Sequence, residues 1–325
     1  MLSTFRLMGS SQRMSSQAPT SPGETWTLQE NIPVFRTWQS VTFAEDVYVA
    51  VANGGPEAGF RVMTSTNGID WVARETPIDN QWRSVAYGNG TFVALAVTGT
   101  GNRVMTSNDK GVTWQIQQTP ADLLFRGLAY GEVNGIGVFV AVASDGTQRV
   151  MTSTDMGVTW SLRSTPAANN WWSVAFGLGA FVAVSDSGTS RVMKSYDGGV
   201  TWTSSTTPVN NAWQAVFFGN GLFVALATSG SGNRVMTSSD LGVTWIVRQT
   251  PVDNLYRAGV YGQGYFVAVA YQSAAGTSLN RVMTSPDAIT WTVRQTPDQV
   301  WLGLTYGNST NRFVAVGGGQ VMTSP

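Results

Sequence analysis

The sequence predicts an all-β fold, a seven-bladed β-propeller with four-stranded antiparallel blades, closed into a ring by its own N-terminal strand. Three observations predict it: units recur every 42 to 46 residues, each unit holds four short strand-like segments, and the strand missing from the last unit precedes the first. Units of this length built from strands without helices are typical of propellers. An open solenoid is the alternative if the ring does not close.

Each unit opens on an aromatic residue, as in the segments WQSVTFA and WRSVAYG. These residues are Trp38, Trp82, Phe125, Trp171, Trp213, Tyr256 and Trp301. In the second unit, strands are expected at 82–88, 91–97, 103–107 and 113–119, with Gly, Asn and Asp turn signals between them. No helix-length periodic segment lies among the strands, so no helix is expected to cover a sheet face.

The two ends of the chain carry complementary parts of one unit. The last unit stops after VMTSP (321–325), and ETWTLQENIP (24–33), which precedes the first unit, matches TWTVRQTP (290–297). We therefore expect the segment around Trp26 to complete the seventh blade, which removes an unpaired sheet edge. The predicted organisation is an N-terminal arm, residues 1–22, followed by the propeller, residues 23–325.

Composition excludes several classes of function. The 19 basic and 19 acidic residues cancel, so no overall field draws in nucleic acid. No apolar run approaches the ~20 residues of a membrane helix, and residues 1–24 lack the apolar core of a secretory signal. Cys and His are absent, and with them the commonest metal ligands. We expect a soluble protein of undetermined compartment, with no metal and no cofactor.

A short motif recurs between the third and fourth strands. SNDKGVTW (107–114), STDMGVTW (153–160), SYDGGVTW (195–202) and SSDLGVTW (238–245) match S-x-D-x-G-x-T-W in full, whereas STNGIDW (65–71) and SPDAITW (285–291) are one residue shorter. Ser and Asp can bond to the backbone of their own hairpin, Gly supplies a positive φ, and Trp packs between strands. The motif predicts a folding clamp rather than a catalytic site.

The motif resembles the Asp-box, or bacterial neuraminidase repeat, of sialidases, some glucan hydrolases, sortilin-type receptors and photosystem assembly factors. The resemblance covers roughly residues 24–325 and implies a propeller. The repeated segments AYGNGTFVALA and VMTSNDKGVTW are also similar to propellers in bacteriophage and large-virus proteins. That second resemblance implies a virion or tail component, and hence a virion-associated protein.

Strand alternation assigns the connections to two faces of the ring. The motif hairpins and the turns between first and second strands share one face, here called the turn face. The loops between second and third strands and the blade-to-blade connectors share the other, here called the loop face. Loops on the loop face differ in length, as binding loops on a rigid scaffold do. A ligand site is therefore expected there.

The connectors, such as TPIDNQW (76–82), lead into the innermost strands and would surround a central channel. The seven opening aromatic residues, interleaved with Asn80, Asn169, Asn211 and Asn254, form a candidate ligand-binding ring at the channel mouth. Flat aromatic rings beside amides suit sugars. Packing between blades is the other interpretation of the aromatic residues, and the sequence leaves both open.

An arginine opens the third strand of six units: Arg61, Arg103, Arg149, Arg191, Arg234 and Arg281. We expect these side chains to bind connector carboxylates or carbonyls, such as Asp79, Asp122 and Asp253. If they pointed freely into the channel instead, an anion site would be indicated.

A sialidase-like glycoside hydrolase needs an arginine cluster, a tyrosine with a glutamate partner and an acid. Only Glu57 among the glutamates lies in a loop of the loop face, and a pair with Asp145 or Asp186 is the one carboxylate arrangement to consider. The sequence therefore predicts that the protein is not an enzyme.

The function predicted from sequence is that of a structural or interaction propeller in a larger assembly such as a virion or tail. It would bind other protein chains through its loop face and residues 1–22, whose Ser- and Gln-rich composition is typical of an arm that orders on a partner. A lectin-like module that binds glycans is the first alternative. An interaction protein of the photosystem-assembly type is another, and a cluster of arginines on one exposed patch would be its sign.

Overall fold

The computed structural model describes residues 21–34, 36–55, 58–273 and 279–325. Within them, 28 strands form seven antiparallel sheets of four strands each, with no helix. This confirms the predicted fold class, an all-β propeller of seven blades. No segment in these ranges forms a helix that could cross a bilayer. Residues 1–20, most of the predicted arm, lie outside the described residues.

Strand β1 (Thr27–Gln29) precedes the first complete blade. Blades 1 to 3 follow in chain order, each read from its innermost to its outermost strand. They are β2 (Trp38–Ala44), β3 (Val47–Ala52), β4 (Val62–Ser65), β5 (Val72–Arg74); β6 (Trp82–Gly88), β7 (Thr91–Ala96), β8 (Val104–Ser107), β9 (Gln115–Gln117); and β10 (Phe125–Val133), β11 (Ile136–Ala143), β12 (Val150–Ser153), β13 (Ser161–Arg163).

Blades 4 to 7 repeat the arrangement, and the seventh contains only three strands of its own. They are β14 (Trp171–Gly177), β15 (Ala180–Ser185), β16 (Val192–Ser195), β17 (Thr203–Ser205); β18 (Trp213–Gly219), β19 (Leu222–Ala227), β20 (Val235–Ser238), β21 (Ile246–Arg248); β22 (Leu255–Gly262), β23 (Tyr265–Gln272), β24 (Val282–Ser285), β25 (Thr292–Arg294); and β26 (Gly303–Gly307), β27 (Arg312–Gly317), β28 (Gln320–Ser324).

The N-terminal strand completes blade 7, as predicted. β1 pairs antiparallel with β28, placing Thr27 opposite Thr323 and Leu28 opposite Met322. Trp26 packs against Phe313 of the same blade with ring centroids 6.4 Å apart. The ring is therefore closed, and the open solenoid is excluded.

The hydrophobic core is divided among the blade interfaces. Each of seven buried clusters draws its side chains from two neighbouring blades. Trp82, for example, packs with Val49 and Val51 of the preceding blade, and Trp38 packs with Val314 and Val316 of the last. Because the second strands are buried on both faces, they read as continuous Val, Ala and Phe runs. The ring is thus held by seven equivalent interfaces.

The motif hairpins form the predicted hydrogen bonds. In the second blade, Ser107 Oγ accepts the Gly111 N–H at 2.9 Å, and Asp109 accepts the Thr113 N–H at 2.9 Å and the Thr113 hydroxyl at 2.6 Å. The Trp114 indole N–H donates to the Gly111 carbonyl at 3.0 Å. The fourth strand is shorter than expected, Gln115–Gln117 rather than 113–119, because the hairpin binds the residues before it.

Candidate functional site

A central channel runs along the axis of the ring. One part of it, with a volume of about 230 Å³, is lined by three consecutive residues of each blade at the start of the innermost strand, such as Gln39–Val41 and Arg83–Val85. These residues lie just after the connectors, so the cavity opens toward the loop face. Only the innermost strands contribute to its wall, and the chemistry of the channel is therefore set by a few positions per blade.

A β-bulge marks the first of these positions. In blades 1 to 6 the pairing register shifts across one residue, as between Trp82 and Ser84, so that the residue between them has no partner on the second strand. Bulges re-aim a side chain and are frequent beside functional sites. Here the bulge turns the residue that follows the opening aromatic toward the axis.

At the bulge position the type of side chain is not repeated from blade to blade. Its occupants in blade order, with the equivalent residue of blade 7 last, are Gln39, Arg83, Arg126, Trp172, Gln214, Arg257 and Leu302. The next position is always Ser, Ala or Gly, because adjacent innermost strands approach too closely for more. A Cβ on Gly127 would lie 2.8 Å from the Cα of Ser173, for example. The fold explains the small residues and leaves the bulge residues unexplained.

Four bulge residues, here called the axial cluster, converge on one another: Arg83, Arg126, Trp172 and Arg257. The guanidinium carbons of Arg126 and Arg257 each lie 4.6 Å from the centroid of the Trp172 ring, and that of Arg83 lies 5.8 Å away. Cations over an indole face within about 6 Å are attracted by its quadrupole. The cluster therefore combines three positive charges with one aromatic surface.

Neutral groups orient the bulge side chains. Arg126 Nε donates to Ser144 Oγ at 3.0 Å, and Arg257 donates to the Gln214 carbonyl at 3.3 Å. Arg83 hydrogen-bonds to the amide oxygen of Gln39. None of the three arginines forms an ion pair with a carboxylate of the described residues. Their charges are positioned without being neutralised by direct contact.

Burial affects the titration of these cations. It lowers the pKa of Arg257 to about 10, since desolvation disfavours the charged form. Burial also lowers the pKa of Arg126, and the nearby carboxylates of Asp145 and Asp186 offset part of that effect. Arg257 remains protonated at neutral pH and contributes positive charge to the channel.

The seven opening aromatic residues of the predicted ligand ring are fully buried. Trp38, Trp82, Phe125, Trp171, Trp213, Tyr256 and Trp301 all have 0% exposure and lie in the clusters between blades. This placement fits the packing interpretation that the sequence left open. A ligand would reach these rings only after the blades separated, and ligand contact by them stays a prediction.

The four predicted amide residues are also buried, and each braces a loop of its own blade. The side-chain N–H groups donate to loop carbonyls at 2.9 Å from Asn80, 2.7 Å from Asn169 and 2.8 Å from Asn211, and Asn254 donates to the Asn280 carbonyl. The structure therefore places all four at the base of the loop face, in contact with the loops between second and third strands.

The arginines that open the third strands bind as predicted. Arg61 pairs with Asp79 at 2.8 Å, and Arg103 and Arg234 lie 3.6 and 3.5 Å from Asp122 and Asp253. Their equivalents, Arg149 and Arg191, donate to connector carbonyls at 2.8 Å, and Arg281 pairs with Asp298. The hydrogen bond from Arg61 also holds the pKa of Asp79 below its usual value. These arginines fasten connectors and do not form the anion site considered for them.

Two of the three carboxylates considered for hydrolysis influence the axial cluster. Asp145 accepts the Leu124 N–H at 2.6 Å, and Asp186 accepts the Gln214 amide at 3.3 Å. Glu57 lies outside the described residues. No group of three or more acidic side chains in the described ranges is arranged to hold a metal ion.

The fold is similar to several solved propellers. Virginiamycin B lyase from Staphylococcus aureus, as a catalytically inactive variant with quinupristin, matches with a TM-score of 0.76 and 11% identity over 92% of this chain and 98% of that one. YCF48 bound to D1 peptide matches with a TM-score of 0.67 and 14% identity over 92% and 94%. YCF48 from Cyanidioschyzon merolae gives 0.67 and 13% over 92% and 98%. At these identities the likeness is one of fold.

No protein-family model matches the chain, and no curated protein matches its sequence. The resemblance to Asp-box proteins and to virion propellers therefore rests on the motifs alone.

The expectation that the protein is not an enzyme is wrong as an inference from this architecture. Virginiamycin B lyase is an enzyme, and it shares the fold over almost its whole length. The low identity assigns no reaction to this chain. The scarcity of glutamate and the lack of histidine exclude particular catalytic groups, whereas the seven-bladed ring itself excludes none.

Sequence reasoning missed the axial cluster because it singled out the aromatic residue that recurs in every unit. The neighbouring position carried the signal: it alone in the W-x-S-V-A-x-G segment changes between amide, guanidinium, indole and aliphatic side chains. A residue repeated in every blade is explained by a contact that every blade makes. A residue that differs between blades must be explained by a contact that the blades do not share.

Proposed function

We propose that this protein is an interaction propeller that binds a segment of a partner protein on its loop face, centred on the axial cluster. One observation carries the proposal: the chemistry of the blades diverges at the bulge position that faces the channel, where three cations surround Trp172. Arginine and tryptophan are among the residues most enriched at the energetic centres of protein interfaces. The YCF48 structure with a bound peptide is a precedent at the level of the fold.

The partner, in this proposal, belongs to a larger assembly such as a virion or tail. Residues 1–22 would supply a second contact, because a polar arm gains order mainly by binding. The two contacts would lie at different places, with the arm leaving the ring from the outer edge of blade 7 next to Trp26. Binding at two places raises the effective affinity beyond that of either contact.

Photo-crosslinking in the source cells tests which face binds. A crosslinking amino acid is placed at the exposed loop-face positions Thr100, Thr189 and Ser231, and as matched controls at the exposed turn-face positions Asn89, Leu178 and Asn220. We expect one partner to be captured from the loop face and not from the turn face. Capture from the turn face alone would overturn the proposal, and deletion of residues 1–20 measures the contribution of the arm.

A glycan ligand at the same mouth is the alternative function. Its support is the juxtaposition of the Trp172 ring with the amides of Gln39 and Gln214, an aromatic face beside hydrogen-bonding edges. Glycan-array binding that disappears in Trp172→Ala and persists in the turn-face control Leu178→Ala would favour this alternative.

A further inference from the structure

The axial cluster brings together side chains from four blades, including pairs of blades that are not neighbours. Trp172 belongs to blade 4 and Arg126 to the adjacent blade 3, whereas Arg83 and Arg257 belong to blades 2 and 6, each two blades away. All three arginines nevertheless lie within 6 Å of the Trp172 ring. The indole therefore extends to the axis, where it contacts all three guanidinium groups.

Like charges are held close together there. The guanidinium carbons of Arg126 and Arg257 are each 4.6 Å from one ring centroid, so they are no more than twice that distance apart. This separation is within a Debye length of about 10 Å at moderate ionic strength. The indole face offsets part of the repulsion, but no carboxylate of the described residues forms an ion pair with any of the three arginines.

The space beside the cluster is small and polar. Its volume of about 230 Å³ equals that of seven or eight water molecules at roughly 30 Å³ each, too little for a folded element but enough for one side chain or chain end. The buried Trp172 indole N–H has no acceptor in the described part of the chain. The indole N–H groups of Trp38, Trp82, Trp171 and Trp301 are buried in the same way, so this feature does not distinguish Trp172.

The charge of the surroundings restricts the ligand. Asp145 and Asp186 both act on Arg126 without contacting it, so part of the guanidinium charge of the cluster is already offset. A carboxylate brings one negative charge into these surroundings, whereas a phosphate brings a charge of about −2. Planar guanidinium groups also match the geometry of a carboxylate.

We propose that the axial cluster is an oxyanion site that takes a single carboxylate group, either the chain end of a partner or one of its Asp or Glu side chains. The identity of the carrier rests on the proposed function, whereas recognition of the carboxylate does not. The guanidinium N–H groups donate to the ligand oxygens. The amides of Gln39 and Gln214 line the same wall.

The first experiment follows the indole N–H of Trp172 by NMR on the ¹⁵N-labelled full chain, with its signal assigned through Trp172→Phe. The probes are acetate, inorganic phosphate, and the peptide acetyl-Gly-Ser-Leu with either a free or an amidated C-terminus. We expect saturable shifts with acetate and the free acid and none with the amide. Acetyl-Gly-Glu-Ser amide tests the side-chain source. Tighter binding of phosphate would overturn the choice of carboxylate, and no shift with any probe would overturn the site.

The second experiment removes one charge at a time. Arg126→Gln and Arg257→Gln should each weaken carboxylate binding about tenfold, the size expected for one charge-assisted hydrogen bond. The matched control Arg248→Gln, on the outermost strand of blade 5, should leave binding unchanged. Because burial works against the charge of Arg257, its replacement should keep or raise Tm. A lower Tm with unchanged binding would show a packing role instead.

The two proposals fail in distinguishable ways. If acetate binds but loop-face crosslinking captures no partner, the oxyanion site stands and the interaction function falls. If the partner is captured equally by wild type and by the double variant Arg126→Gln/Arg257→Gln, the loop face binds it without the axial cluster. The inference that a carboxylate of the partner binds at the axial cluster then falls.

Discussion

Two adjacent tryptophans in blade 4 have opposite environments. Trp171 opens β14, is 0% exposed, and packs with Val140 and Val142 of blade 3. Trp172 occupies the bulge, so it pairs with no residue across the strand and contacts the arginines at the axis. The same type of side chain therefore packs between blades at one position and lines the channel at the next, because the bulge sends consecutive residues in different directions.

Alanine substitution of these neighbours should separate stability from binding. Trp171→Ala removes a fully buried indole from a blade interface and is expected to cost about 3–5 kcal/mol of unfolding free energy. Trp172→Ala, which loses cation–π contacts at a partly open cavity, should cost about 1 kcal/mol and abolish acetate binding, which in this variant is followed through the Nε–H signal of Arg126. Urea unfolding measures both losses of stability. Equal losses of stability would contradict the distinction between packing and channel residues.

This pair also shows why the site was only partly predictable. The repeat and its aromatic residues are local patterns, readable without coordinates. The convergence of Arg83 and Arg257 on Trp172 is not, because it depends on the diameter of the closed ring and on a one-residue bulge. The variable position was visible in the aligned segments, but the direction of its side chain was not.

At the scale of the element, the motif hairpin is a self-contained set of hydrogen bonds. Asp155 accepts the Ser153 hydroxyl at 2.8 Å, the Thr159 N–H at 2.9 Å and the Thr159 hydroxyl at 2.6 Å. Burial alone would raise the pKa of Asp155, but these hydrogen bonds outweigh it and hold the pKa below the usual value. Blade 1 makes similar bonds with an amide, since Asn67 Oδ1 accepts the N–H groups of Ile69 and Asp70 at 2.9 Å.

Asp155 variants should therefore respond to pH in different ways. Asp155→Ala leaves the hairpin donors without an acceptor and is expected to cost about 1–2 kcal/mol at pH 7, whereas Asp155→Asn should cost less, as Asn67 does the same task. A lowered carboxyl pKa stabilises the fold above the ordinary Asp value of about 3.9, and this stabilisation is lost as pH falls through the folded-state pKa. Thermal melts from pH 7 to pH 2 should show the advantage of wild type over Asp155→Asn shrinking below about pH 4. A constant difference across that range would exclude the linkage.

The turn glycine of the hairpin has a second role between blades. Gly157 has a φ of +85°, and a Cβ there would lie 2.9 Å from Val93 Cγ2 of the preceding blade. The hairpin thus fits against the neighbouring blade as well as closing its own. The sequence predicted the positive φ from the motif, but the contact with the preceding blade required the observed spacing of the ring.

At the scale of the whole molecule, the ends of the chain nearly rebuild a motif hairpin. Ser324 occupies the position of Ser107 in blade 2, and the Trp26 indole N–H donates to the Gly23 carbonyl at 2.9 Å, as Trp114 does to Gly111. Joining Pro325 directly to Ser21 would give S-P-S-P-G-E-T-W, the eight-residue length of the complete motif. Counted in residues, the two ends therefore supply a complete motif without an added linker.

A circular permutant should exploit this geometry. In this permutant Pro325 is joined to Ser21, Ser21→Asp restores the motif, and the new chain ends lie between Asn89 and Gly90 on the turn face. We expect a folded monomer with a Tm within about 3 °C of the parent, since chain ends at exposed turns are well tolerated. The control permutant lacks residues 21–30, and so loses β1 and the packing of Trp26. It should melt lower and associate through the exposed edge of β28. Calorimetry and light scattering measure both, and a misfolded joined permutant would contradict the closure.

Blade number, strand order and closure were all predictable because each follows from patterns repeated along the chain. The repeat length and strand alternation define a blade, and the complementary ends at Trp26 and VMTSP define the ring. Strand lengths were less accurate, as for Gln115–Gln117, because hydrogen bonds of the flanking hairpin and connector determine where a strand ends.

The bulge in the innermost strands of blades 1 to 6 has a consequence for how such a ring can diverge. The bulge residue pairs with no residue of the second strand. A single substitution there can therefore change which ligands the channel binds, while the contacts that close the ring are kept. Proteins with superimposable backbones can thus acquire unrelated ligands by exchanging a handful of side chains. Likeness of backbone alone will then be a poor guide to specificity in this architecture.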